Sequence, residues 1–266
     1  GEAGGAMQAV MQRLADYLER SAELRESIKS ALIYPLILVA VAGLSVALLL
    51  VFVVPQFAQM FEDMGKALPL PTQIVIGAGD LLSGYWWLLL GLGYGGYRLF
   101  RRRLRQPEVR QAWDRRLLAM PLVGELIVKV ETARFSRTLS TLVENGVSLL
   151  KALSLVKDVI SNRIIAEAVE AAADQLSRGK SLSEPLLEQG VFPRLALQMM
   201  KVGEESGQLE TMLSKVADMY DQEVRASVQR MLALLEPLLI VGLGVVVAGI
   251  IMSILVAIMS VNQLAI

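Results

Sequence analysis

Residues 203–241 read GEESGQLETMLSKVADMYDQEVRASVQRMLALLEPLLIV, a charged segment that runs directly into an apolar one. Residues 1–39 read GEAGGAMQAVMQRLADYLERSAELRESIKSALIYPLILV and repeat this order. With Gly1 placed on Gly203 and no gap, the identical pairs include Gly5/Gly207, Asp16/Asp218, Leu32/Leu234, Pro35/Pro237 and Val39/Val241. A gapless register of this length is typical of an internal duplication. We therefore expect each copy to place a helical domain before a membrane helix.

The composition is typical of a membrane protein and excludes several kinds of active site. Hydrophobic residues make up 54% of the chain, and the mean hydropathy is +0.51. The chain has no cysteine and no histidine, which excludes disulfides, thiolate or imidazole metal ligands and Ser-His-Asp triads. It also lacks a G-x-x-x-x-G-K-[ST] motif and so cannot supply its own P-loop ATPase. We expect a protein that is not an enzyme, with no catalytic residue and no cofactor.

Three apolar runs are long enough to cross a bilayer, at residues 31–54, 77–97 and 237–261. The first spans roughly 36 Å at about 1.5 Å per residue, which exceeds a hydrocarbon core of about 30 Å. The second run is the weakest, because it contains Asp80, Ser83 and several glycines. The sequence predicts an all-α, polytopic membrane protein with three transmembrane helices.

Lysine and arginine are unevenly distributed around these runs. They precede the first run and follow the second, whereas residues 55–76 hold only Lys66 and residues 262–266 hold none. Because cytoplasmic loops carry the excess of these cations, we expect residues 1–30 and 98–230 to be cytoplasmic and the loop and tail to be periplasmic. The arginine cluster at 101–105 is interpreted as a topology signal that also touches anionic lipid, not as a nucleic-acid site.

Residues 98–230 carry apolar side chains at helical spacing and no strand pattern. Helix stop signals follow one another at Asn145-Gly146, Gly179 and Gly190. The segment predicts a bundle of six short helices, the last of which runs toward the membrane without a stop signal. On the duplication, residues 1–30 correspond to that last helix, so we expect the first bundle to be truncated in this chain.

Pro35 and Pro237 occupy equivalent places, where each copy's helix should enter the membrane. A proline inside a helix removes one backbone hydrogen bond and clashes with the preceding turn, so a kink is predicted at both. Two roles remain open: the kink simply re-aims the membrane helix, or it is a hinge that transmits motion.

Glu204, Glu205 and Glu210 form an acidic cluster with three possible roles. They could place favourable charge at the start of the last bundle helix, contact a partner, or bind a divalent cation through carboxylate oxygens. Helix-start electrostatics is the favoured interpretation, and no metal site is assigned.

Several ordered motifs resemble the type II secretion system F family of polytopic inner-membrane platform proteins. They are the pattern Phe135, Arg137, Leu139, Gly146, Val147, Leu149 and Leu150; the segment Gly179, Ser181 and Leu182; the pair Phe192-Pro193; and the stretch Val202, Gly203, Glu204, Gly207 and Leu209. The resemblance covers the whole chain. It implies two homologous cytoplasmic six-helix domains and three membrane spans, of which this chain lacks most of the first domain.

The resemblance also implies a function in protein secretion. Such a platform contacts a cytoplasmic secretion ATPase and other inner-membrane secretion components, and couples the ATPase to the assembly of pseudopilin subunits. We expect residues 107–230 to form the docking surface, with Arg134, Arg137, Glu204, Glu205 and Glu210 as candidate partner contacts. The small-residue pair Gly91 and Gly95 favours a homo-oligomer in the lipid bilayer.

Two alternatives remain. The platform of type IV pilus assembly is a close relative, although the C-terminal SILVAIMSVNQLAI (residues 253–266) looks more like the secretion branch. A transporter or channel subunit is the alternative from another class, and the shortage of charged residues in the apolar runs argues against it.

Overall fold

The computed structural model describes residues 30, 32–56, 59 and 70–262. These residues form an all-helical fold without a β-strand, as the sequence predicts. The predictions for residues 1–29, including the duplication that depends on them, and for residues 263–266 lie outside the described part. The chain divides into two units. We call Arg98–Arg230 the bundle unit and the remainder, which includes Met231–Ile266, the apolar unit.

The described helices have the following bounds. They are α1 (Leu32–Gln56), α2 (Leu70–Arg103), α3 (Pro107–Ala119), α4 (Val123–Glu144), α5 (Leu149–Val159), α6 (Arg163–Ser177), α7 (Ser183–Gln189), α8 (Arg194–Glu205) and α9 (Leu209–Asn262). Helix α9 supplies residues to both units.

Two helices of the described part are long and apolar enough to cross a membrane, namely α1 and the stretch Leu209–Val256 of α9. In the most apolar window of each, only 11% of the residues are buried. A core helix of a soluble protein would be mostly buried, so the exposed apolar surface favours a lipid environment.

The second predicted span lies within α2, and its crossing of a membrane stays a prediction. The helix is longer than the predicted 77–97, since it begins at Leu70 and ends at Arg103, with non-helical dihedrals at Tyr85 (φ −120°, ψ 17°). A proline in its first turn is compatible with this early start, because the first N–H groups of a helix have no intrahelical partner. Helix α1 continues to Gln56, so the end of α1 and the start of α2 both lie within the predicted loop 55–76. Residues 57–58 and 60–69 of that loop lie outside the described part, and the loop stays a prediction.

Helix α1 contains a π-helical turn, Leu49–Val53, that no sequence signal predicted. Leu50 and Val54 are buried there in a cluster with Ile250 of α9. On α2, a Cβ at Gly79 would lie 3.3 Å from the Leu50 carbonyl oxygen, so the glycine permits a close approach of the two backbones. The three described helices of the apolar unit therefore pack together at this level.

Pro35 and Pro237 both lie inside continuous helices, α1 and α9. The proposed kink and hinge roles of the two prolines stay predictions.

The bundle unit has a single apolar core to which α4 through α9 contribute. Its most buried large side chains are Phe135, Leu139, Leu153, Val156, Ile165, Val169, Leu182, Leu186, Leu197, Met200 and Leu213. The Phe135 and Phe192 rings lie 5.0 Å apart within it. Helix α3 is present in addition to the predicted helices.

All three predicted helix stops coincide with left-handed glycines. Gly146 (φ 77°) follows the end of α4, Gly179 (φ 84°) follows the end of α6, and Gly190 (φ 64°) follows the end of α7. A residue with a Cβ is disfavoured in this conformation, which is why these glycines end the helices where the sequence predicts.

Candidate functional site

Of the candidate residues of the bundle unit, Arg137 and Glu210 lie at the contact between α4 and the first part of α9. The Ser140 hydroxyl donates to the backbone oxygen of Glu210 at 3.1 Å, and Lys129 Nζ donates to Ser227 Oγ at 3.0 Å. Because the earlier residue on α4 meets the later residue on α9, the two helices run antiparallel.

Arg137 forms an ion-pair contact within the unit. Its Nη2 donates to Asp218 Oδ1 at 2.7 Å and to Asp221 Oδ2 at 2.9 Å. Burial lowers the pKa of Arg137, but the hydrogen bonds and charges of the two aspartates together raise the pKa above its ordinary value. The guanidinium thus stays charged and fixes α4 to two successive turns of α9, with 27% of its side chain exposed.

Lys129 makes a second contact of the same kind, two turns earlier on α4. Its Nζ lies 2.9 Å from Glu223 Oε2 on α9 and 2.7 Å from Glu125 Oε1 on α4. Burial lowers the pKa of Lys129, while the hydrogen bonds and charges of these glutamates raise it, with a net increase. Lys129 is therefore a buried cation that is held charged between the two helices.

Arg134 points to the start of α6. Its Nη1 donates to Ser161 Oγ at 2.7 Å and to both Glu131 carboxylate oxygens at 3.2 Å. Glu131 is buried, and its Oε1 accepts from the Ser161 backbone N–H at 3.2 Å. Burial raises the pKa of Glu131 above its ordinary value, although Arg134 and the backbone donors act in the opposite direction.

Glu204 stabilises the start of α7, not that of α9. Its carboxylate accepts from the Leu182 N–H at 2.7 Å, from the Ser183 N–H at 3.3 Å and from the Ser183 hydroxyl at 3.1 Å. Backbone N–H groups at a helix start have no partner within the helix, and a carboxylate satisfies them well. Glu204 therefore does place its charge at a helix start, as the favoured interpretation expects, but the helix is α7 and not α9.

Glu205 and Glu210 have different surroundings. Glu205 is exposed, and its Oε1 lies 3.9 Å from Lys201 Nζ, whereas Glu210 lies in the first turn of α9 as predicted. Within the described residues, no group of three or more acidic side chains could hold a metal ion. The structure thus does not bring Glu204, Glu205 and Glu210 together as a metal site.

Gly203, beside Glu204, is required by close packing. A Cβ at this position would lie 2.8 Å from Met212 Cβ and 3.0 Å from Leu209 Cα. Such distances leave no room for a side chain between α8 and the start of α9. The motif residues Gly203 and Glu204 are thus explained by packing and by a helix cap.

Sequence reasoning missed Lys129, Glu223, Asp218 and Asp221 of the contact between α4 and α9. It also missed Glu131, the partner of Arg134. A signal was present for the aspartates, because residues three apart share one face of a helix and Asp218 and Asp221 have that spacing. Lys129 and Glu131 each have one partner on α4 itself, Glu125 and Arg134 respectively. No local signal identified their other partners, Glu223 and Ser161, which are distant in sequence.

Comparison with known proteins assigns the family. The protein-family profile described as type II secretion system (T2SS), protein F matches residues 1–55 and 135–257, which together are more than half of the chain. The chain belongs to the type II secretion system protein F family. The matched residues include Arg137 and Glu204, whereas Lys129 and Glu131 precede the second matched stretch.

Curated relatives carry two different names within this family. A type II secretion system protein F of Xanthomonas campestris pv. campestris is 50% identical over 96% of this chain and 63% of its own length. A type IV pilus assembly protein PilC of Myxococcus xanthus is 40% identical over 94% of this chain and 60% of its own. A type II secretion system protein F of Pseudomonas aeruginosa is 39% identical over 99% and 65%. The chain thus spans less than two thirds of each of these relatives.

Adjacent glutamates offer a test of which acidic residue supports the fold. We expect Glu204→Ala to reduce the free energy of unfolding by about 1–3 kcal/mol, because it leaves the N–H groups of Leu182 and Ser183 without their acceptor. Glu205→Ala should change it by less than about 0.5 kcal/mol, as expected of an exposed side chain. Urea unfolding of the full chain in detergent measures both. Equal effects would contradict the assignment of Glu204 as the α7 cap.

Glu131 predicts a pH dependence whose sign follows from its raised pKa. A carboxyl whose folded-state pKa exceeds the unfolded one binds its proton more readily in the folded state, so its contribution to stability increases as pH falls through the folded pKa. As pH falls from 7 to 4, the free energy of unfolding of the wild-type chain should increase relative to that of Glu131→Gln. The same comparison with Glu188→Gln, a substitution at an exposed site on α7, is the control. A relative loss in the wild type would mean that Arg134 and Ser161 outweigh burial.

Proposed function

We propose that this chain is part of an inner-membrane platform of a type II secretion system. The platform couples a cytoplasmic secretion ATPase to pseudopilus assembly and to the export of folded proteins from the periplasm. The observation that carries the proposal is the 50% identity to a relative named type II secretion system protein F, across 96% of this chain. The role is non-enzymatic: binding surfaces and helix movement would perform it.

The topology that we propose has three membrane helices, at α1, in α2 and in the second part of α9. Residues 98–230 are then cytoplasmic, as one bundle of an internally duplicated pair, while the segment between α1 and α2 and the C-terminal tail are periplasmic. The high exposure of apolar residues on α1 and α9 supports this arrangement, as does the run of arginines at the end of α2.

The mechanism that we propose uses α9 as the coupling element. Its first part is held to α4 by the contacts of Lys129 and Arg137, and its second part is the apolar segment. A force that a partner applies to the bundle unit would therefore act on a helix that continues into the membrane. Pro237, inside that helix, is where we expect it to bend.

The candidate partner contacts now separate into two groups. Arg134, Arg137 and Glu204 hydrogen-bond to other parts of the bundle unit, so charge reversal there would first disturb the fold. Glu205 is exposed and its neighbour Lys201 is also exposed. We therefore propose Glu205, with Glu210, as the acidic contact for the secretion ATPase.

A second candidate function is the platform of type IV pilus assembly. It is favoured by relatives named type IV pilus assembly protein PilC in Myxococcus xanthus, Thermus thermophilus and Pseudomonas aeruginosa, at 40%, 40% and 37% identity. Their identities are lower than the 50% of the Xanthomonas protein, which is why secretion is the first proposal.

Deletion of the full-length gene in its own bacterium distinguishes the two functions. We expect secreted enzymes to accumulate in the periplasm while twitching motility stays normal. The wild-type gene should restore secretion, and so should Glu188→Lys, because Glu188 is exposed on a different helix. Glu205→Lys should not restore it, since reversal of the charge would weaken the ATPase contact without removing an internal hydrogen bond.

Each alternative result has a defined meaning. Lost twitching with normal secretion would assign the protein to pilus assembly. Normal behaviour in both assays would contradict both functions. Full restoration by Glu205→Lys would remove Glu205 from the contact and leave the platform role intact.

A further inference from the structure

The segment that joins α2 to α4 is strongly basic. Residues 98–116 contain eight arginines and two acidic residues. Of the acids, Asp114 is buried and accepts from the Arg163 backbone N–H at 3.0 Å. All eight arginines are exposed: Arg98, Arg101, Arg102, Arg103, Arg105, Arg110, Arg115 and Arg116. The outer surface of this segment therefore has a large positive charge.

Helix α3 is held in a fixed position by its other face. Trp113 packs edge-on against Phe100, near the end of α2, with ring centroids 5.0 Å apart and an interplanar angle of 78°. Gln111 Nε2 donates to both carboxylate oxygens of Glu167 on α6, at 2.9 and 3.0 Å. Because these residues are committed to the bundle unit, Arg115 and Arg116 are left on the exposed side.

The turn from α3 to α4 exposes two large apolar side chains, Met120 at 50% and Leu122 at 51%. Leu122 has a positive φ of 67° with ψ −52°, and the Val123 N–H donates to the Pro121 oxygen at 2.8 Å. This is a γ-turn of the rare, strained kind. Strain that exposes a leucine to water gives no folding benefit, which suggests that the turn meets another apolar phase.

The combination of exposed arginines with exposed Met120 and Leu122 favours a membrane surface as the partner of this segment. Nucleic acid or an acidic peptide would account for the arginines but not for Met120 and Leu122. An interfacial helix uses both kinds of residue to bind a membrane: its cations attract anionic headgroups, and its apolar residues enter the headgroup boundary. The basic segment also follows directly on α2, whose apolar part we propose to cross the bilayer.

We propose that α3, the arginine-rich end of α2 and the Met120–Leu122 turn form one surface that binds the anionic headgroups of the adjoining leaflet. Helix α3 has 13 residues, about 20 Å at 1.5 Å per residue, so the turn makes a second point of attachment beyond the arginines of α2. This orients the bundle unit on the membrane by two contacts. The inference rests on the proposed membrane crossing of α2.

Single-cysteine variants test this surface without interference, because the chain has no cysteine. The full chain, reconstituted in vesicles with phosphatidylglycerol or with phosphatidylcholine alone, is labelled with a fluorophore at Met120→Cys or at Arg116→Cys. Lipids with brominated acyl chains then quench labels that enter the bilayer boundary. The control for an exposed apolar site elsewhere is Leu187→Cys, 43% exposed on α7, and the control for the bilayer is Leu92→Cys, 66% exposed on α2.

We expect the label at residue 120 to be quenched several-fold more than the label at residue 187 in anionic vesicles. The difference in quenching between residues 120 and 187 should decrease in vesicles of phosphatidylcholine alone. It should also decrease in the double variant Arg115→Gln and Arg116→Gln, and in 1 M salt, where the screening length falls to about 3 Å. Two results would overturn the proposal while leaving the crossing of α2 intact, provided that the label at residue 92 is quenched. One is equal quenching at residues 120 and 187; the other is quenching at residue 120 that does not depend on lipid charge. An unquenched label at residue 92 would instead contradict the membrane crossing itself, and the surface with it.

Discussion

The bundle unit depends on two cations of α4 that are held charged against carboxylates of α9. Lys129 and Arg137 lie on one face of α4 and meet Glu223, Asp218 and Asp221. Such charges are costly to bury unless they are paired, so these pairings select one register between the helices. The buried side chains Leu213 and Val216 add apolar contacts to the same part of α9. These contacts matter beyond the bundle unit, because the part of α9 that they hold belongs to the same helix as the apolar segment.

Three of the family's motif residues also have roles within the fold. Arg137, Gly203 and Glu204 carry the resemblance to the secretion family, and from sequence they are natural candidates for partner contacts. In the structure, each of the three has a role within the fold: an ion pair, a close helix approach and a helix cap. Residues that identify a family thus need not be the residues that bind its partners. Glu205, next to them and free of such a role in the hydrogen bonds described here, is the better contact candidate.

Part of this structure could be predicted from sequence for clear physical reasons. Helical periodicity, long apolar runs and stop signals such as Gly146 and Gly190 act locally, and the corresponding helices are present. Other features depend on partners distant in sequence. Glu204 caps a helix that starts 21 residues earlier, and the π-helical turn Leu49–Val53 coincides with packing against other helices. Helix α3 was missed for a different reason, because its arginines were interpreted as a signal of topology and not as the polar residues of a further helix.

Hydrogen exchange in the full chain tests most directly whether the α4 cations hold the first part of α9. The comparison is between the wild type, the double variant Lys129→Met and Arg137→Met, and a control in which the exposed Lys151 and Arg178 are both changed to Met. Slower exchange reports backbone hydrogen bonds that open rarely. The double variant is predicted to exchange faster across residues 209–230 while residues 149–177 and the control are unchanged. Unaltered protection of residues 209–230 would contradict the account, since apolar packing alone would then hold α9 in place.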